Sequence, residues 1–338
     1  MITTRYYYDR LSERDKRLYK AIYDGIMNYK PYVEVNEGKL HENIVGWIYH
    51  CVLWDNPFIF SVGEYAMWNA LTPDKSRIKM TTICDVSSEI TYRKQIENAV
   101  NQILSTPGLR KMTDFQKEVF VHDFIINNVK YDETLGDNGE KIQPYTVYGA
   151  LVEHKAVCEG IAKTVKLLLN MLDVKCIVVS GKFDGQGHAW NIVKPDDWAY
   201  NLDVTMDMGR VIHSGMMRYN YFNFRDEDIT NYEPDNKHTI PECAAIKNNY
   251  MVNAGGFVSN YERLKKYIEK GLTKRRSCLY FKINRNVRDQ FTEMSFEEFQ
   301  KIINKAYSEV ANKMRINTSR FIDSTGPCEI VSMEITYL

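Results

Sequence analysis

The chain has 338 residues, enough to bury a large core and divide into two or three subdomains. Lysine plus arginine equals aspartate plus glutamate at 44 each, which excludes a bulk field drawing the protein to nucleic acid or a membrane surface. The 44 % hydrophobic content is globular, and neither a leader-like apolar start nor a run of about eighteen apolar residues is present.

From this we expect a cytoplasmic protein with no signal peptide or transmembrane segment. Seven cysteines, at 51, 84, 158, 176, 243, 278 and 328, lack CxxC spacing. Reduced, mostly buried thiols are expected, without a zinc site or disulfide framework.

In chain order, Ser12 is placed to cap a helix reaching Met27, with Leu18, Ile22 and Ile26 inward. Tyr32–Val35 reads as a short strand and Glu42–Leu53 as a helix, broken by Asp55-Asn56-Pro57. Arg77–Val86 alternates as a strand, and Tyr92–Leu104 is a helix with Ile96, Val100 and Ile103 on one side. Thr113 and Gln116 form a capping box for a helix through Val129. His122 lies on its apolar stripe with Phe115, Val119 and Ile126, where a satisfied structural histidine is expected rather than a ligand. The polar, glycine-bearing stretch Asp132–Pro144 is a loop, either bordering a cleft or a surface insertion.

The segment Ala156-Val157-Cys158-Glu159-Gly160 then turns into a helix. Ile161, Val165, Leu168, Leu169 and Leu172 share one face, which puts Cys158 in the first turn. Cys176–Gly181 reads as a buried strand, Phe183–Gly187 as a turn, and His188–Val193 as a second strand. Tyr200–Thr205 reads as a third strand with Asn201, Asp203 and Thr205 on one face. A hairpin can thus set His188 beside Asp203 while the helix presents Cys158 to both. A helix N-terminus and an imidazolium activate a thiol, and a carboxylate behind the ring fixes its tautomer. The backbone N–H of Cys158 is one expected oxyanion donor. Tyr148, Tyr145, Tyr131 and Gln143 are candidates for a second, and Trp190 is expected to shield the histidine from water.

Ala-Val-Cys-Glu-Gly, Gly187-His-Ala-Trp-Asn-Ile-Val and Leu202-Asp-Val-Thr resemble the core of the bacterial transglutaminase-like superfamily. His122–Asp132, ending in Tyr-Asp, and Tyr145–Leu151, leading to the cysteine, extend the resemblance over roughly 115–235. It implies a papain-like α+β fold, a nucleophile-bearing helix packed on an antiparallel sheet. Carried over by position, Cys158 is the nucleophile, His188 the base and acid, and Asp203 the orienting group. Ile161 stands where the family often has Tyr, and Met206 where it often has Trp, which leaves the substrate contacts open.

Downstream, the aromatic run Tyr219–Phe224 gives way to polar, turn-rich sequence up to Pro241. A helix over Ser259–Gly271, a strand over Cys278–Ile283, a helix from Ser295 through Val310 and a strand over Glu329–Tyr337 suggest an α+β appendage. The expected division is 1–110, mostly helical, 111–240, the catalytic core, and 241–338, the appendage.

The expected activity is amide acyl transfer through a thioester on Cys158, with no metal and no organic cofactor. A cysteine peptidase or amidase acting on a peptide or protein is favoured by analogy. A transglutaminase and a non-catalytic peptide-binding protein are the alternatives, and neither nucleic acid nor membrane is an expected partner.

Overall fold

A computed structural model describes residues 5–38, 40–136, 143–208, 219–229, 231–258, 261–276, 278–284, 305, 308, 316–323 and 328–337. Along the chain come α1 (Glu13–Met27), β1 (Tyr32–Val35), α2 (Glu42–Asp55), β2 (Val62–Ala70), β3 (Ser76–Thr82) and α3 (Val86–Leu104). Then follow α4 (Asp114–Asn128), β4 (Lys130–Tyr131), α5 (Val147–Leu151), β5 (Lys155–Ala156), α6 (Cys158–Met171), β6 (Lys175–Phe183), β7 (Gln186–Lys194), β8 (Tyr200–Leu202) and α7 (Val204–Met208). The last are β9 (Phe222–Phe224), β10 (Tyr232–Pro234), α8 (Tyr250–Asn253), β11 (Phe257–Val258), α9 (Tyr261–Thr273), β12 (Cys278–Asn284), β13 (Ile316–Asp323) and β14 (Cys328–Tyr337).

The fold is α+β, with mostly antiparallel sheets and helices outside them. It divides into two compact units. One comprises Met1–Arg210 with Asn231–Glu242, the other Val211–Thr230 with Cys243–Leu338.

In the first unit, β1, β3 and β2 form an antiparallel sheet beside α1 and α2. A second antiparallel sheet runs β10-β6-β7-β8. Its central hairpin turns on two residues, Asp184 at φ 50° and Gly185 at φ 76°. Positive φ at both is what a two-residue turn needs to match strand twist, and Asp-Gly supplies it cheaply. One hydrophobic core runs from Leu18, Ile22, Ile48 and Val52 to Ala162 on α6, Val178 on β6 and Ala189 on β7. The first helices therefore pack on the same layer that carries the cysteine.

Local chemistry explains these elements. Ser12 accepts from the Asp15 N–H at the start of α1. At the start of α4 the Thr113–Gln116 capping box is complete. On α6, Ile161, Val165, Leu168 and Leu169, with Leu172 at its C-cap, are each 1 % exposed or less. Asn191 on β7 donates through Nδ2 to the carbonyls of Ala162 at 2.9 Å and Ile177 at 3.0 Å, tying α6 to the sheet.

Some expectations differ from the structure. The third strand ends at Leu202, because Asp203 turns to cap α7. The helix expected from Tyr92 begins at Val86, where Asp85 accepts from the Ser88 N–H. The strand expected over Arg77–Val86 covers Ser76–Thr82, and its partner β2 carries no readable alternation.

The second unit carries a sheet in the order β11-β12-β14-β13, parallel between β11 and β12 and otherwise antiparallel. The helix expected from Ser295 through Val310 lies outside the described residues, apart from Lys305 and Ser308. Among the described residues, no helix is long and apolar enough to cross a membrane.

Candidate active site

Cys158 is the first residue of α6 and is partly buried. The approach to it is tightly held. Lys130 and Tyr131 run parallel to Lys155 and Ala156, and the Asp132 N–H reaches the Ala156 carbonyl at 3.0 Å. Asp132 pairs with Lys155 at 2.8 Å, and with Thr134 this holds its carboxyl down at about 2. Gly160 lets the chain pass close. A Cβ there would overlap the Pro144 carbonyl and crowd that of Thr146. Lys163, 3 % exposed, meets Glu159 at 2.7 Å and the Tyr145 carbonyl at 3.2 Å, which offsets the Glu159 charge next to the cysteine.

His188 stands on β7 opposite Gly181 of β6. Its Nε2 lies 2.6 Å from Oδ2 of Asp203, and the Cys158 thiol is close enough to the ring to favour its charged form. With Nε2 engaged by the acid, Nδ1 is the nitrogen left for sulfur. Burial works against the charged ring, but the Asp203 carboxylate and then Cys158 outweigh it and push His188 up to about 10. The Trp190 ring stacks at 6.2 Å and 15° from the imidazole and donates to Asn201 Oδ1 at 3.1 Å. At 1 % exposure it closes that side to water.

Asp203, also 1 % exposed, is fully engaged. Its Oδ1 accepts the Met206 N–H at 3.0 Å, as the cap of α7. Its Oδ2 accepts from His188 and from the Tyr232 hydroxyl at 2.7 Å. Tyr232, which the sequence reading passed over, comes from β10. Gly181 makes room for that strand, since a Cβ there would overlap the Glu233 carbonyl. The Tyr232 ring also packs against Phe183 at 4.8 Å and Trp190 at 4.9 Å.

The four oxyanion candidates separate. The Tyr131 hydroxyl lies beside Cys158, and burial followed by the nearby sulfur raises the phenol to about 12. Tyr145 lies near it. Tyr148 is directed elsewhere: its hydroxyl bonds Gln95 at 3.3 Å and its ring contacts Tyr92 at 4.5 Å. Gln143 supplies its carbonyl to the Thr146 N–H and hydroxyl. Among the described residues, no group of His, Cys, Asp and Glu is arranged to hold a metal ion.

Residues 105–201 match the family model of the transglutaminase-like superfamily. No curated protein matches the chain. Among solved structures, a crystal structure of a TGase is 13 % identical with TM-score 0.31, covering 52 % of this chain and 51 % of that one. A candidate protease from Parabacteroides distasonis is 9 % identical with TM-score 0.21, covering 82 % of this chain and 62 % of that one. The chain thus spans about half the length of the TGase it matches. Its segment 105–201, which carries Cys158 and His188, is thus similar to the transglutaminase-like superfamily.

Proposed function

We propose that this chain is a thiol-dependent amide acyl-transfer enzyme, a cysteine peptidase or amidase acting on peptide, with Cys158, His188 and Asp203 as its triad. The observation that carries the reading is the 2.6 Å contact of His188 with a buried carboxylate, on a ring that the Cys158 thiol lies near enough to influence.

In this scheme the sulfur gives its proton to His188 Nδ1 and attacks the amide carbonyl carbon. Charge gathers on the carbonyl oxygen, which the Cys158 N–H stabilises at the start of α6. The Tyr131 hydroxyl, which lies beside Cys158, donates to the same oxygen. The C–N bond breaks as His188 returns its proton to the departing amine, leaving a thioester on Cys158. Water, deprotonated by His188, releases the acid and restores the thiol. Asp203 holds the ring throughout and offsets its positive charge.

The test is incubation with glutaminyl peptides and a labelled primary amine, with Cys158→Ala as control. Release of ammonia or peptide fragments without label supports hydrolysis, and incorporated label redirects the assignment to transamidation. Turnover persisting in the Cys158→Ala variant would remove the sulfur from its role.

A further inference from the structure

His122 and Asp207 form a second imidazole–carboxylate contact that the reaction scheme leaves unused. His122, on α4, is fully buried at 0 % exposure, and Asp207, on α7, is 1 % exposed. His122 Nδ1 lies 2.9 Å from Oδ1 of Asp123, and Nε2 lies 3.1 Å from Oδ2 of Asp207. Helix α7 spans only Val204–Met208 and starts from Asp203. So short a helix does not persist on backbone bonds alone and must be anchored from outside. Its first turn closes on Asp203, whose Oδ1 caps the Met206 N–H at 3.0 Å and whose carbonyl receives the Asp207 N–H at 3.4 Å. The peptide whose N–H orients Asp203 is thus one residue from the side chain that His122 grips.

We propose that His122 and Asp207 are positioning residues of the active site. By fastening α7 to α4, they hold Asp203 at the distance and angle that keep His188 aimed at Cys158. The inference rests on the triad reading above. A buried, hydrogen-bonded ionisable pair is poor value as a source of stability alone, because apolar replacements of the same volume commonly do as well. Register accounts for its place between the two helices. A slip of α7 would carry the Asp203 carboxylate off the imidazole.

The two ring nitrogens supply the experiment. In His122→Asn the shorter amide mimics Nδ1 and keeps Asp123 but cannot reach Asp207. In His122→Gln the longer amide mimics Nε2 and reaches Asp207. The readouts are the NMR titration midpoint of the His188 ring, which needs no substrate, and kcat and KM for acyl transfer. His122→Asn should bring the His188 midpoint down by about one pH unit or more and lower kcat about tenfold or more, with KM within about twofold. His122→Gln should restore both. Asp207→Asn, nearly isosteric, should behave like His122→Asn and decides the matter if the histidine variant does not fold. A folded Asp207→Asn or His122→Asn protein with unaltered His188 titration and kcat overturns the proposal. If wild type turns over no amide, the enzyme reading fails, while the His188 titration still reports on the positioning.

Discussion

Replacing Asp203 by asparagine separates its charge from its capping role. Asn is as good a helix cap as Asp, so its Oδ1 can keep the Met206 N–H and α7 stays in place. The remaining position, where Oδ2 accepts from His188 and Tyr232, then holds an amide NH2. A donor facing Nε2 forces that nitrogen to be an acceptor, which puts the ring proton on Nδ1, facing sulfur. In that tautomer His188 cannot take the Cys158 proton. The energetic scale follows from the titration. His188 is held at about 10 against an ordinary value near 6.5, a gap worth about 5 kcal/mol. With the carboxylate gone, burial pulls the ring the other way, so at most about a quarter of molecules carry imidazolium at pH 7. Asp203→Asn should therefore lower kcat by roughly three to four orders of magnitude while the thermal transition stays close to wild type. Steady-state kinetics with NMR titration of His188 checks both halves. A variant with wild-type kcat, or a His188 midpoint still near 10, would refute the reasoning.

Further outcomes follow from neighbouring groups. Tyr232→Phe removes a hydrogen bond to a charged oxygen, worth about 1.5–3 kcal/mol, and should lower kcat about ten- to a hundredfold in a folded protein. Gly160→Ala presses a methyl into the Pro144 carbonyl and should cost about 1–3 kcal/mol in denaturant unfolding. Asp55→Ala takes one partner from Lys166, which is 0 % exposed with its Nζ 3.9 Å from the carboxylate, and frees the N–H groups of Tyr7 and Tyr8. Chemical denaturation should show a loss of about 3–5 kcal/mol. His188 is raised on folding, so its stabilisation is complete below pH of about 6.5 and is lost as pH rises through about 10. Unfolding free energies measured between those limits should fall in wild type and stay flatter in Asp203→Asn.

The parts of the site readable in the sequence were those with strong local pattern. The amphipathic run after Cys158 fixed a helix start, and the hairpin around Asp184-Gly185 fixed where His188 stands. Around Asp203 the run Leu-Asp-Val-Thr alternates like a strand, yet the strand stops at Leu202 and a helix follows. What decides otherwise is the carboxylate taking the Met206 N–H, a competition between side chain and ladder that alternation does not reveal. Tyr232 escaped notice because β10 is only Tyr232–Pro234, too short for any period. Its pairing with β6 depends on a distant glycine, Gly181. His122 was read as a satisfied core histidine, and it is satisfied; its partner Asp207 comes from another helix and could not be named from the chain alone.

The most direct test of the central claim is a rapid-mixing experiment with p-nitrophenyl acetate, followed by peptide mapping. The account predicts a burst of p-nitrophenol stoichiometric with enzyme, an acetyl group on Cys158, and loss of both in Cys158→Ala and His188→Ala. Acetylation spread over other cysteines, or a burst unchanged in either variant, would contradict it.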